Sequence, residues 1–260
     1  MKKIILLTLF LVFLLSTVIV LGSAQERIVG VAEGDWFKYG DFNVSWSSND
    51  PWNPTFPPAG REYLKEMNET EWMSVSVQNI SWGKSVFLET VKHFKDGTER
   101  TENGSVNIET GTGIMNYRII SANLNVNDTI YTSSPFSTWK IDETIVRTYP
   151  DGERETNHLN MTQKTEIIRY MDNSTINGTS SIFINYYWDR STGILVERSY
   201  EEIEQAGEYL ITFSMSYKIT ESSVWTVPEF PTWTSMLLIL TVLTVSIAIY
   251  KRRLLKTPIH

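Results

Sequence analysis

Histidine, cysteine and closely set carboxylates carry most acid–base, nucleophilic and metal chemistry, and this chain is poor in the first two. Its 260 residues include three histidines, His93, His158 and His260, and no cysteine. Without cysteine there is no thiol nucleophile, no thiolate metal site and no disulfide framework. A zinc centre needs three or four ligands with His or Cys among them, and His93 and His158 are not spaced as a helix pair. The chain contains no Gly-x-Ser-x-Gly elbow, no phosphate-cradling Gly-rich loop and no His-Glu-x-x-His motif. Glu201, Glu202 and Glu204 crowd one stretch, but paired acid and base work needs two carboxyls in opposed environments. A solvated strand face is the expectation for them, because Asp and Glu are mostly exposed. These residues therefore predict no catalytic residue, no metal and no cofactor.

Aromatic side chains are the better lead, with nine Trp and twelve Tyr in the chain. Such rings stack on sugars or pack cores. Trp52 and Phe56 lie in the Pro-rich loop 51–58, where prolines stiffen the backbone enough to present them to a ligand. The alternative is that they fold back over an open sheet edge. Trp36, Trp72, Trp139 and Trp188 alternate with polar neighbours and are expected in the core.

The elements that must position these rings are strands. Met73, Val75 and Val77 alternate with Ser74, Ser76 and Gln78, which puts one face inward and one outward. Similar runs cover 36–46, 85–94, 113–120, 138–149, 165–170, 181–188, 194–203 and 209–219, and only 61–69 reads as a short helix. Turn dipeptides stand between them at Asp96-Gly97, Asp151-Gly152, Asn177-Gly178, Thr192-Gly193 and Ala206-Gly207. Strands joined by tight turns, with no long helical pattern, predict a mainly β fold. The expected form is an antiparallel meander, as a curved half-barrel or a sandwich, rather than a parallel α/β sheet. Weak internal echoes suggest two related halves divided near 121. Val31–Trp36 resembles Val126–Tyr131, and Glu89-Thr90 before Asp96-Gly97 resembles Glu143-Thr144 before Asp151-Gly152.

Both ends read as membrane segments. Lys2 and Lys3, an apolar run from Ile4 to Leu21 and the small residues Gly22, Ser23 and Ala24 have the order of a secretory signal. Residues 1–24 are expected to be removed, the alternative being an uncut N-terminal anchor. Residues 25–225 form the expected β ectodomain, and 226–231 a Pro-rich collar. Thr232 to Tyr250 is a stretch without charge, and at 1.5 Å per residue it spans about 28 Å, close to the hydrocarbon thickness. Lys251, Arg252, Arg253 and Lys256 follow in a basic tail, 251–260, that positive-inside logic keeps in the cytoplasm. The expected topology is single-pass in the cell membrane, ectodomain outside. Between Arg27 and Trp225 stand 17 basic and 28 acidic residues, a net of −11, which argues against nucleic acid as a partner.

Pro228, Glu229, Phe230 and Pro231, the apolar helix and the basic cluster together resemble the tails of archaeal cell-surface proteins that carry a Pro-Glu-Phe signature. That resemblance covers about the last 35 residues and implies an archaeosortase as a processing partner. Leu254 to His260 continue past the basic cluster, where tails of that family usually stop, so a permanent anchor is the alternative. The ectodomain is similar to exported archaeal surface proteins without an assigned activity.

Eight Asn-x-Ser/Thr sequons occur, at Asn43, Asn68, Asn79, Asn103, Asn127, Asn160, Asn173 and Asn177, while Pro54 spoils Asn53. With 16 Asn and 41 Ser plus Thr between Arg27 and Trp225, chance alone gives about three. The excess fits an exported glycoprotein; an Asn- and Thr-rich β surface would also raise it.

Two functional classes follow. The first is a non-enzymatic surface module that binds envelope glycan, a surface-layer protein or another surface molecule, or that builds the envelope. The second is a curved sheet that carries a lipid or other apolar ligand. A tethered hydrolase ranks third.

Overall fold

The computed structural model describes residues 26–51, 56, 61–115, 117–133, 135–171 and 174–225. Nine strands form a single antiparallel sheet. They are β1 (Trp36–Ser48), β2 (Thr70–Ser81), β3 (Ser85–Phe94), β4 (Glu99–Asn107), β5 (Glu143–Tyr149), β6 (Gly152–Met171), β7 (Ser174–Asp189), β8 (Leu195–Ala206) and β9 (Tyr209–Ser222). One helix, α1 (Glu62–Glu69), stands between β1 and β2. The spatial order is β4-β3-β2-β1-β9-β8-β7-β6-β5. Two meanders, β1 to β4 and β5 to β9, thus meet where β1 pairs with β9.

Alternation builds the core as the pattern predicts. In β9 Ile211, Phe213, Met215, Tyr217 and Ile219 are buried while the residues between them are not, and in β2 Met73, Val75 and Val77 do the same. β1 changes parity midway. Phe37 and Tyr39 are buried, but beyond them Val44 and Trp46 face the same core, because the pairing with β9 shifts around Gly40 to Asn43. Asp41 takes a φ of 51° there, and an extra residue of this kind rotates every following side chain to the other face.

Two pieces cover the face carrying Phe213, Met215 and Tyr217. α1 inserts Leu64 against Phe213 and Met215, with Val44, Trp46, Met67 and Tyr200 around it. The rest is covered by segment 108–142, which buries Ile108, Ile119, Ile120, Leu124, Ile130, Tyr131 and Ile141. Backbone hydrogen bonds hold it to the β7–β8 turn: Ile120 N donates to Gly193 O, Leu195 N to Arg118 O and Asn123 N to Arg190 O. The opposite face carries polar cross-strand contacts such as Ser45 with Ser214 and Lys38 with Glu221.

Several expected elements fall elsewhere. The run 113–120 is not a strand; only Ile119 bridges to Ile194, because its apolar residues dock onto a turn rather than a neighbouring strand. β4 had no apolar alternation to betray it, since Val106 is its only buried residue. As an edge strand rich in charge it needs no second apolar face. Asn177-Gly178 is no turn but mid-strand in β7, where Gly178 lies opposite Ala206 and a Cβ would sit 2.3 Å from Gln205 O. The first echo is not structural, for Val31–Trp36 leads into β1 whereas 126–131 lies in segment 108–142. The second coincides with the β3–β4 and β5–β6 hairpins at the two ends of the sheet. The signal, collar, transmembrane and tail expectations lie outside the described residues. Among the described residues no helix is long and apolar enough to cross a membrane.

Candidate ligand site

Register places Tyr186, Arg198 and Tyr217 side by side on β7, β8 and β9. A guanidinium is therefore set between two phenols on the covered face of the sheet. Segment 108–142 brings a second one. Arg118 is 7% exposed, and its guanidinium lies over the rings of Tyr39, Tyr117 and Tyr217 at 5.3, 5.2 and 5.6 Å. Arg198 lies 4.8 Å from the Tyr117 ring and 5.4 Å from that of Tyr186. Tyr117 is thus shared by both cations. Its carbonyl accepts a 2.9 Å hydrogen bond from Nε1 of the fully buried Trp188, and Tyr39 Oη donates to Leu195 O at 2.7 Å. The first bond ties the segment to β7, and the second ties β1 to the start of β8 beneath it.

The charges are unevenly compensated. Among the described residues neither Arg118 nor Arg198 pairs with a carboxylate, and Arg118 Nη1 and Arg198 Nε are buried without a hydrogen-bond partner. Arg118 Nη2 donates to Met73 Sδ at 3.2 Å, and the guanidinium also interacts with the Tyr39 phenol. The nearby acids are engaged at the rim: Lys92 bridges Glu66 and Glu102, and Arg100 pairs with the same two. Burial pushes the Glu66 carboxyl up, but the hydrogen bonds from Arg100 and Lys92 outweigh it and hold the group below its ordinary value. Tyr117 responds to the excess cation. The charge of Arg118, assisted by Arg198 and Lys92, lowers its phenol against the opposing effect of burial.

Two hollows adjoin this cluster. One of about 420 Å³ is lined by Tyr63, Met67, Tyr117, Arg198, Tyr200 and Met215, among others, and one of about 410 Å³ by Thr90, Lys92, Met115, Tyr117 and Arg118. Tyr117 and Lys92 belong to both.

Glu201 is exposed, as expected of a solvated face, but a separate ion network overturns that reading for Glu202 and Glu204. Glu202 is 7% exposed, accepts from Arg61, Ser180 and Tyr200, and lies below α1. Glu204 is shared by Arg61 and Arg169, and Arg169 also holds the buried Asp50. The inward face of β8 carries Glu202 and Glu204 because cations arrive from α1's start and from β6, which composition could not reveal. Replacing Arg169 by Met should cost about 3 kcal/mol in urea unfolding, as expected on breaking a buried pair. The exposed Lys65–Glu69 pair, 3.9 Å apart, should lose under about 0.5 kcal/mol on Lys65→Met. Equal costs would remove the network from the stability of the fold.

The other sequence candidates scatter. His93 contacts Glu71 and Glu99 and stacks on Trp72, while His158 contacts Glu143 and Asn185 and stacks on Tyr187. They sit on β3 and β6, and among the described residues no cluster of three metal-ligating side chains forms. Trp188 is core as expected; Trp36 is 38% exposed and Trp72 half-buried on the open face, so neither is. Phe56 is exposed; Trp52, Asn173 and the Pro228–Pro231 motif lie outside the described residues. The remaining sequon residues, Asn43, Asn68, Asn79, Asn103, Asn127, Asn160 and Asn177, are all exposed. Sequence reasoning missed Arg118 and Arg198. The available signal was an arginine standing in phase with the inward residues of β8.

No family model matches this chain, and no curated protein is significantly similar to it.

Proposed function

We propose that the chain is a membrane-anchored extracellular glycoprotein whose β domain is a non-enzymatic binding or envelope-structural module. The observation that carries this reading is the contrast between two sets of asparagines. All seven described sequon asparagines are exposed, and among the described residues six of them make no side-chain hydrogen bond, Asn160 alone donating to Asn185. Outside sequons, Asn107, Asn157 and Asn185 are withdrawn from solvent while Asn49, Asn123 and Asn125 are exposed as well, but these side chains hold structure: Asn107 Oδ1 accepts from Glu109 N and Thr110 N, Asn157 Nδ2 donates to Leu124 O, Asn49 Nδ2 donates to Glu208 O and Asn125 Oδ1 accepts from Arg190. A glycan needs a free amide on the surface, and the sequon set supplies it. The apolar termini and basic tail support the single-pass anchor, and the Pro228–Pro231 collar supports a sorting step by an archaeosortase.

The second reading, a carrier of an apolar ligand in a curved half-barrel, is favoured by the single sheet with both coverings on one face and a hollow between them. Peptide and intact mass spectrometry of the protein from its native membranes tests the first. Sugars on the seven asparagines, a start at Gln25 and a retained His260 are expected of an anchored glycoprotein. A chain ending near Pro228 to Pro231 with added lipid establishes sorting instead. Bare asparagines would sink the glycoprotein.

A further inference from the structure

We infer that the hollow lined by Tyr117 and Arg198 is a binding site for a small organic carboxylate, its head taken by Arg198 and its apolar body laid against Met67, Tyr200 and Met215. The inference rests on the reading of the domain as a binding module and names its ligand class.

Arginine stays protonated in a protein interior, so both guanidiniums carry full charge where they lie. Burying a charge without a counter-charge costs several kcal/mol. Elsewhere in this protein the cost is met locally. Lys92 and Arg100 have Glu66 and Glu102, Arg61 has Glu202 and Glu204, and Arg169 has Asp50 and Glu204. Among the described residues, Arg118 and Arg198 have no such carboxylate. They face π surfaces and phenols, which are neutral, and each retains a buried N–H without an acceptor. Of the two, Arg198 lines the open hollow beside Met67, Tyr200 and Met215, where an acceptor can reach its guanidinium from outside, while Arg118 lines the neighbouring one.

The chemistry of that acceptor follows from the walls. Arginine's planar fork matches a carboxylate in bidentate fashion. Tyr63, Tyr117, Tyr200, Met67 and Met215 supply ring faces and thioethers, which favour an apolar body over water. Glu66 and Glu102 at the rim, already neutralised by Lys92 and Arg100, leave the entrance without a strong field against anions. The lowered phenol of Tyr117 reports the same positive potential from inside the cleft.

The test uses the full chain in nanodiscs, with phenylbutyrate as probe, titrated by calorimetry against empty nanodiscs. Phenylbutanol, its neutral counterpart, and inorganic phosphate are the comparison arms. Phenylbutyrate should bind, with phenylbutanol weaker by about 10- to 100-fold, the worth of a charge-assisted hydrogen bond. Arg198→Met should lose affinity by a similar factor and Arg118→Met, in the neighbouring hollow, by less, while thermal melting of Arg198→Met without ligand stays level or rises, because a charge without a carboxylate partner has been removed. A purely structural arginine would do the reverse, lowering the melting temperature and sparing affinity. Equal affinity for acid and alcohol overturns the anion site in favour of an apolar hollow. Phosphate binding without phenylbutyrate overturns the organic ligand, and no binding in any arm overturns the cleft. None of these outcomes touches the glycans read by mass spectrometry, so failure here and failure of the surface-glycoprotein reading are told apart.

Discussion

Raising the pH above about 10 should unfold this protein in one cooperative step, before its buried tyrosines ionise in place. Tyr39, Tyr131 and Tyr217 are almost fully inaccessible, and burial pushes all three phenols above their ordinary value. The sign follows from linkage. A phenol whose pKa is higher in the folded state stabilises the fold fully below the unfolded value of about 10, and that contribution is lost as pH rises beyond it. Each such group removes about 1.4 kcal/mol per pH unit above 10. Three together remove about 4 kcal/mol per unit, so a domain of ordinary stability, about 5–15 kcal/mol, is lost within a few units. Tyr149 and Tyr186, also raised by burial, steepen the fall.

Tyr117 runs the other way. Its phenol is lowered by Arg118 first and then by Arg198, so its contribution grows between that lowered value and about 10 and is level above it. Phenolate absorbance and far-ultraviolet circular dichroism, followed together against pH, decide the matter. The main phenolate rise should coincide with the loss of strand signal, preceded by a small phase that Tyr117→Phe abolishes. Smooth ionisation of every tyrosine near 10 with the sheet intact would contradict the burial on which the argument rests.

Replacing Gly193 by Ala, in the turn on which the sheet's covering docks, should cost about 3 kcal/mol or more. Gly193 has a φ of +75°, and a Cβ there would lie 2.1 Å from Ile120 O, the backbone that docks segment 108–142. Two costs combine. A left-handed conformation costs a non-glycine residue about 1–2 kcal/mol, and the clash forces apart two main chains that hydrogen-bond through Ile120 N and Gly193 O. Gly97 isolates the first cost, since its φ is +85° and nothing lies within 4 Å of its Cβ position. Gly97→Ala should therefore cost only about 1 kcal/mol. Urea unfolding of the two variants measures the difference. Equal losses would mean that the approach of Ile120 to the turn carries no weight. Because Arg118 and Tyr117 ride on the docked segment, Gly193→Ala should also weaken any ligand held beside Tyr117.

Much of the sheet was legible because period-two alternation is a local property. Met73, Val75 and Val77 announce β2, and Ile211 to Ile219 announce β9, in any context that buries one face. Thr192-Gly193 and Asp96-Gly97 announce turns for the equally local reason that glycine admits positive φ. The same logic failed where burial is decided by something distant. β4 is polar because it is an edge, Asn177-Gly178 is strand because Ala206 closes over it, and 113–120 is apolar because it covers a sheet rather than joins one.

By itself the chain determined an antiparallel β protein with eight sequons and without cysteine, since those features follow from side-chain identity and neighbours along the backbone. Tertiary structure alone decided that Arg118, from a covering segment, and Arg198, from a strand far along the chain, share one tyrosine ring with no carboxylate between them. It likewise decided that Glu202 and Asp50 are paired inside rather than solvated. Charge compensation is set by distances across the fold, and sequence separation does not encode them.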